Sequence, residues 1–352
     1  MKKYITIIIC LMLLEQLALA QRYELAQAKK WYSRQGWLVG ANYCPAYAIN
    51  QLEFWQEATF DLKAIDHELA LAQAIGMNSM RVYLHHLAWQ VDPNGFKNRM
   101  SQFLAAASKH KIKIIFVFFD DCWNDTYKIG EQPSPKPGIH NSGWLKDPGN
   151  IVQKGGPLLD TLKAYLTDIL TTFRTDRRVL MWDIYNEPGQ FDQHDKSRPL
   201  MIEAFGWARK ADPSQPLTSG IYDDGEREIT KFQIENSDVI TYHSYDKPEI
   251  HQRRIDSLNR VSGGRPLICT EYMARKRGST FEAILPMLKK QNIGAINWGL
   301  VDGKTQTKYA WDEKDWGEKE PALWFHDIFR KDGTPYDPKE TELIRSLTKK
   351  KK

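Results

Sequence analysis

Cysteine is scarce in this chain, with four in 352 residues. Cys10 falls in an N-terminal segment with the marks of a signal peptide, which leaves Cys44, Cys122 and Cys269 at wide spacing. An odd, scattered set of thiols is no disulfide framework, although one bridge among the three stays open. No C-x-x-C or H-x-x-x-H pair accompanies them, so a zinc site is disfavoured and no metal is expected. A large charge of one sign is missing too. The formal net charge is +5, much of it in the lysine tail 349–352, which reads as a solvated end and not a nucleic-acid arm. No G-x-G-x-x-G or Walker sequence follows the first predicted strand, against a nucleotide-binding open sheet. Internal repeats and a second domain with its own core are also absent from the pattern.

The long hydrophobic run lies at the start. Lys2 and Lys3 precede apolar residues 4–14, Glu15 interrupts the run, and Ala18-Leu19-Ala20 has the small-residue spacing of a cleavage site. Cleavage after Ala20 would leave Gln21 first and a secreted or periplasmic protein without a membrane span. An uncleaved anchor is the alternative, but the run is short for a spanning helix. No cysteine follows the cleavage site, against a lipid anchor. Tryptophan is plentiful, with twelve in the chain. Some must be core, but a flat indole face in a loop also offers a surface for a sugar ring, so composition leans weakly toward a carbohydrate cleft.

Eight short runs rich in β-branched and aromatic residues predict strands over 37–42, 79–84, 113–119, 179–185, 216–220, 239–242, 266–270 and 294–298. Several are almost wholly apolar, as strands buried on both faces must be. Amphipathic stretches separate them: Leu62, Ile65, Leu69, Ala72 and Ile75 form one stripe, and Leu159, Leu162, Leu166, Ile169 and Phe173 another. This alternation implies an α/β fold with a parallel sheet, and eight repeats favour closure into a (β/α)8 TIM barrel. Residues 21–346 suffice for one such domain, leaving 347–352 as a basic tail.

Two connections are too long to be mere turns. One runs from about 120 to 156 and carries Trp123, His140 and Trp144; the other runs from about 299 to 320 and carries Trp311 and Trp316. Both follow strands, which puts them on the C-terminal face where barrels build sites. A structural cap over the barrel is the plainer reading. If the loops wall off one end of a cleft, action on chain ends follows; if they line a groove, internal cleavage does. The crowding of two Trp-bearing loops leans toward the first.

The fourth predicted strand runs into Asn186-Glu187-Pro188, and the seventh into Thr270-Glu271-Tyr272. Strands four and seven face each other across a barrel mouth. Two carboxylates so placed are what glycoside hydrolysis needs: one protonates the leaving oxygen, the other attacks the anomeric carbon or activates water. The run Trp182-Asp183-Ile184-Tyr185-Asn186-Glu187-Pro188 resembles the acid/base motif of the clan-A retaining glycoside hydrolases, most closely family 5, which holds cellulases and β-mannanases, with some likeness to the family 2 barrel. The likeness covers most of the mature chain in strand order, though only short motifs are specific. It implies Glu187 as acid/base, Glu271 as nucleophile and Asn186 as a partner of the sugar 2-hydroxyl. It also implies Arg81, closing the second strand, beside the nucleophile, His243 and Tyr245 as the His-x-Tyr pair after the sixth, and Trp298 as the platform under the sugar.

On this reading Arg81 and Tyr245 keep Glu271 ionised, while the Glu271 charge keeps the proton on Glu187. A carboxyl separation near 5–5.5 Å, the retaining distance, is expected. Plainer readings stand beside these roles: Arg81 as a structural ion pair, His243 as a core histidine, Trp298 and Tyr245 as barrel packing. The third strand departs from the family pattern by ending in Asp120-Asp121-Cys122-Trp123-Asn124, and histidines come after the second strand instead, as His85 and His86. Asp120, Asp121, His85 and Asn42 are weaker candidates for sugar contacts. The expected partner is a carbohydrate, the chain a monomer, and the chemistry needs no cofactor. A catalytically dead sugar-binding barrel and a transglycosylase are the alternatives.

Overall fold

Each apolar run forms a strand: β1 Val39–Asn42, β2 Ser79–Tyr83, β3 Lys113–Asp120, β4 Val179–Asn186, β5 Leu217–Gly220, β6 Ile240–His243, β7 Leu267–Glu271 and β8 Gly294–Trp298. They pair in parallel in the order β5-β4-β3-β2-β1-β8-β7-β6. The ring closes between β5 and β6, where Ile221 bridges Tyr242 in parallel and the Asp238 amide donates to the Leu217 carbonyl at 2.8 Å. The fold is therefore the expected (β/α)8 barrel. This computed structural model describes residues 22–149, 156–191, 193–223, 227–313, 317 and 319–349. The expected signal segment, Trp316 and the last three lysines lie outside the described residues.

Strand ends differ from the sequence expectation by one or two residues. β4, β6 and β7 each run one residue further, so Asn186, His243 and Glu271 belong to the ladder itself. The Leu62–Ala74 helix starts at Asp61, whose carboxylate accepts from the Lys63 and Ala64 amides. Ile65, Leu69, Ala72 and Ile75 are fully buried, but Leu62, at the margin of that stripe in the first turn, is 36% exposed. The Pro157–Phe173 helix begins with proline at its first position and buries Leu162, Leu166, Ile169 and Phe173. Among the described residues no helix is long and apolar enough to cross a membrane. Cys44, Cys122 and Cys269 are all free, so the open question of a bridge resolves against one.

The inside of the barrel changes character along its axis. Near the strand starts, Leu38, Ile115, Leu180, Val239, Ile268 and Ile296 pack with Ala28 and Tyr32 of the Leu25–Ser33 helix, which plugs that end. Toward the strand ends the inward side chains turn polar: Asn42, Arg81, Asp183, Thr241, His243 and Glu271 are all buried. Burying such groups is costly unless they satisfy one another. Both long loops lie at this polar end. The first is tied down by bridges from Asp120 to Asp147 and from Asn124 to Leu145. The second runs further than expected, up to the Pro338–Thr348 helix, with Val301 and Pro335 both bridged to Phe329.

Candidate active site

A pocket of about 520 Å³ opens at the polar end of the barrel, lined from β3, β4, β6, β7, β8 and the loops beyond them. Glu187 follows β4 directly. Its φ of +43° puts it in the left-handed region, a conformation that costs a non-glycine residue about 1–3 kcal/mol and is tolerated mainly where the surroundings enforce it. Glu271 ends β7 opposite. Both carboxylates line the pocket yet are 9% and 4% exposed. One oxygen of each and a ring nitrogen of His243 lie within 4.8 Å of one another.

The two carboxyls have different donors. Glu271 Oε1 accepts from Arg81 Nη1 at 2.8 Å and Tyr83 Oη at 3.0 Å, and its Oε2 accepts from Tyr245 Oη at 2.7 Å. Glu187 Oε2 accepts from Cys122 Sγ at 3.2 Å and Gln190 Nε2 at 3.3 Å, while Oε1 lies 2.6 Å from His243 Nδ1. Burial holds the His243 imidazole down at about 4, so the ring is neutral near pH 7. A Cβ on Gly220 would sit 2.9 Å from His243 Nε2, which is why β5 ends in glycine.

Burial pushes both carboxyls above the usual glutamate range. The sequence reading expects an ionised Glu271 and a raised pKa on Glu187 only, through burial or the Glu271 charge. The difference arises because burial acts on both groups, and because Arg81 divides its charge. Its Nε and Nη2 bond Asp183 at 3.0 and 2.8 Å, Nη2 also reaches Asn186 at 2.7 Å, and Nη1 also reaches Asn42 at 2.8 Å.

Of the residues expected in the site, Glu187, Glu271, Asn186, His243, Tyr245, Trp298 and Asp120 line the pocket together. Asp120 accepts from Asn186 Nδ2 and Trp144 Nε1, both at 2.8 Å, and burial pushes its carboxyl up to about 7. The other four do not line it. Arg81, fully buried, stands behind Glu271. Asn42 lies behind as well, donating to the Thr270 carbonyl at 2.7 Å and the Asn297 carbonyl at 3.1 Å. Asp121 accepts from Tyr185 Oη at 2.8 Å, the Gly189 amide at 2.7 Å and Ser197 Oγ, and so fastens the loop after Glu187. His85 is sealed off. Its Nδ1 accepts from the Leu87 amide at 3.2 Å, capping the short His86–Val91 helix, and its ring packs against His86 and Tyr127. The expected sugar contact by His85 is thus corrected to a capping role.

Sequence reasoning missed three close neighbours. Tyr83 stands two residues after Arg81 on β2, so strand alternation alone puts it on the same face. Asp183 is a lone charge in an otherwise apolar strand, a readable sign of a buried partner. Cys122 carries no such signal: its thiol meets Glu187 only because the chain bends after β3.

No protein-family profile matches this chain, and no curated protein matches it by sequence. Solved structures do match it. An exo-β-1,4-mannosidase from Opitutaceae bacterium strain TAV5 superposes with TM-score 0.60 at 16% identity, over 94% of this chain and 62% of that one. The fold is that of glycoside hydrolases. An endo-β-1,4-mannanase from Thermotoga petrophila gives 0.58 at 15% identity, over 90% and 77%. A family 2 β-galacturonidase from Eisenbergiella tayi gives 0.52 at 14%, over 82% and 48%. Two of the three are named for mannosides and one for a galacturonide, and of the mannoside pair one is exo and the other endo, so the shared barrel selects neither the sugar nor the mode of cutting.

Proposed function

We propose that this chain is a retaining β-glycoside hydrolase of the clan-A, family 5-like kind, acting on a β-linked glycan or an oligosaccharide derived from one, and working without a cofactor. The observation that carries the reading is the approach of one Glu187 oxygen and one Glu271 oxygen to within 4.8 Å across the pocket. That spacing suits direct attack on the sugar; carboxyls about 6.5–9.5 Å apart leave room for an intervening water and invert.

Glu271 is the nucleophile. Three hydroxyl or guanidinium donors converge on it, including charged Arg81, so of the two buried carboxyls it keeps the negative charge. Glu187, with a thiol and an amide on one oxygen and neutral His243 on the other, keeps the proton. In the first step Glu271 attacks the anomeric carbon, the glycosidic C–O bond breaks, and the Glu187 proton goes to the leaving oxygen. Ionised Glu187 then takes a proton from water, and the water oxygen displaces Glu271 from the sugar. Asn186 stands beside Glu187 to bind the 2-hydroxyl, Trp298 lies under the ring, and Arg81 and Asn42 act as positioning residues behind Glu271. β-Mannosides are the first substrates to try, since two of the structural neighbours are named for them. The apolar run 4–14 behind Lys2 and Lys3, followed by Ala18-Leu19-Ala20, supports export to the periplasm or medium.

The test is a panel of 4-nitrophenyl β-glycosides with wild type, Glu187→Gln and Glu271→Gln. Wild type should release nitrophenol and give the β-anomer of the sugar first by NMR. Glu187→Ala with azide should give a β-glycosyl azide. An α-anomer as first product would overturn retention. Equal glycan binding by all three proteins with no cleavage would favour a dead sugar-binding barrel. Transfer to added acceptor sugar in preference to water would identify a transglycosylase.

A further inference from the structure

The two long loops meet over one side of the pocket. β1 and β2 lie between β3 and β8 in the barrel, yet among the described residues none from β1, β2 or the loops after them lines the pocket. The loops after β3 and β8 join over that sector instead. The Asn141 amide donates to the Thr305 carbonyl at 2.8 Å, His140 Nδ1 to the Tyr309 carbonyl at 2.8 Å, and Gln306 Nε2 to the carbonyls of Lys136 and Ile139 at 2.6 and 3.0 Å. Both loops also press on the segment after β1. A Cβ on Gly303 would lie 2.6 Å from the Ala46 carbonyl oxygen, and one on Gly143 2.4 Å from Ile49 Cδ1. The closed side reaches the sugar platform: Trp144, 3% exposed, meets Trp298 edge to face at 5.7 Å and donates to Asp120.

We infer that this roof makes the enzyme exo-acting, removing one sugar at a time from the non-reducing end; the inference rests on the hydrolase reading above. A ring over Trp298, between Glu187 and Glu271, has Trp144 and Asp120 behind it. Further sugars on its non-reducing side would have to pass through the joined loops. The leaving group departs on the Glu187 side, where Gln190, Tyr222 and Asp246 line an open rim. The pocket thus holds a chain end and not the middle of a polymer.

The experiment uses mannohexaose, cellohexaose and xylohexaose labelled at the reducing end, with the sugar chosen by the nitrophenyl panel. Wild type should shorten the label one residue at a time, release free monosaccharide from the first time point, and leave the viscosity of the matching polysaccharide unchanged. Labelled dimer or trimer at the earliest times would overturn the inference while leaving the hydrolase reading intact, and labelled monosaccharide appearing first would overturn the direction. No cleavage of any probe would overturn the hydrolase reading and this one with it. His140→Ala/Gln306→Ala, and separately Trp144→Ala, open the roof. Either variant should raise the share of internal cuts at least several-fold, and an unchanged ladder from both would count against the roof as the cause.

Discussion

Two clusters of nearly the same residue types lie at the polar end of this barrel. In one, Glu187, His243 and Glu271 come within 4.8 Å of one another; in the other, His85, His86 and Asp147 do the same. Both are buried, and both mix acid with imidazole. The first lines a pocket and is held from behind by Arg81. The second does not line that pocket. Asp147 accepts from the His86 amide at 2.7 Å and from the His86 ring, and lies 3.9 Å from His85. Burial opposes its charge, yet the two imidazoles hold its carboxyl below the usual aspartate range. Tyr127 covers both rings. Residue type alone therefore does not mark a site here. Access does, and the sealed cluster works as a clamp that ties the loop after β3 to the end of β2.

The comparison breaks first if the open cluster proves dispensable. Glu271→Gln and Glu187→Gln should each lower kcat/KM on a poorly activated β-glycoside by on the order of 10⁴-fold or more, since each removes a group that bonds only along the reaction path. Circular dichroism should show folded proteins with a Tm close to wild type. An active Glu271→Gln would sink the assignment. The sealed cluster should behave the opposite way. Asp147→Ala leaves the His86 amide and ring without their acceptor, and each buried donor left unsatisfied costs about 1–3 kcal/mol. Urea unfolding should show that loss, while the folded fraction keeps kcat within a few-fold of wild type. A stable but inactive Asp147→Ala would mean that the second cluster belongs to the chemistry after all.

Titration sharpens the same contrast. Activity needs Glu271 ionised and Glu187 protonated, and the dyad titrates as a coupled pair. Burial raises both groups, so the rate should fall below the lower apparent pKa as Glu271 takes a proton, and above the upper one as Glu187 loses its own. The alkaline limb should lie above the ordinary glutamate value of about 4.5, with a tenfold loss for each further pH unit. In Glu187→Gln, assayed on an activated aryl glycoside, that limb should vanish and the acid limb should stay. Persistence of the alkaline limb in this variant would assign it to another group.

Much of this was legible in the chain. Buried strands must be apolar along their length, so all eight could be counted, and their order put Glu187 and Glu271 across the mouth. Alternation along β2 would also have yielded Tyr83. What could not be read depends on long-range contact. His85 and His86 after a strand look like cleft residues until Asp147, some sixty positions on, is seen to pack against the one and bind the other. Arg81 and Asn42 were recognisable as members of the cluster, but only packing shows that they stand behind Glu271. The joining of residues 136–141 to 305–309 follows from no local pattern, since the His140 ring and the Gln306 side-chain amide bond distant backbone carbonyls, which any sequence supplies.

The smallest predicted effect concerns the neighbour that nothing in the sequence marked. The Cys122 thiol lies 3.2 Å from Glu187 Oε2, with Asn186 Nδ2 3.6 Å from its sulfur. It sits in the open cluster, on the acid/base alone, and has no counterpart in the sealed one. Burial pushes this thiol well above its usual range, so it stays protonated and can only donate to Glu187. A neutral hydrogen bond of this kind contributes about 0.5–1.5 kcal/mol. Cys122→Ala should therefore cost no more than about tenfold in kcat, with KM little changed, and should move the alkaline limb upward, because an ionised Glu187 loses a donor. Cys122→Ser, which can donate to the same oxygen, should recover most of the rate and return the limb toward its original place. If both variants lose the same activity and the limb does not move, the thiol merely fills space, and Glu187 is held by His243 and Gln190.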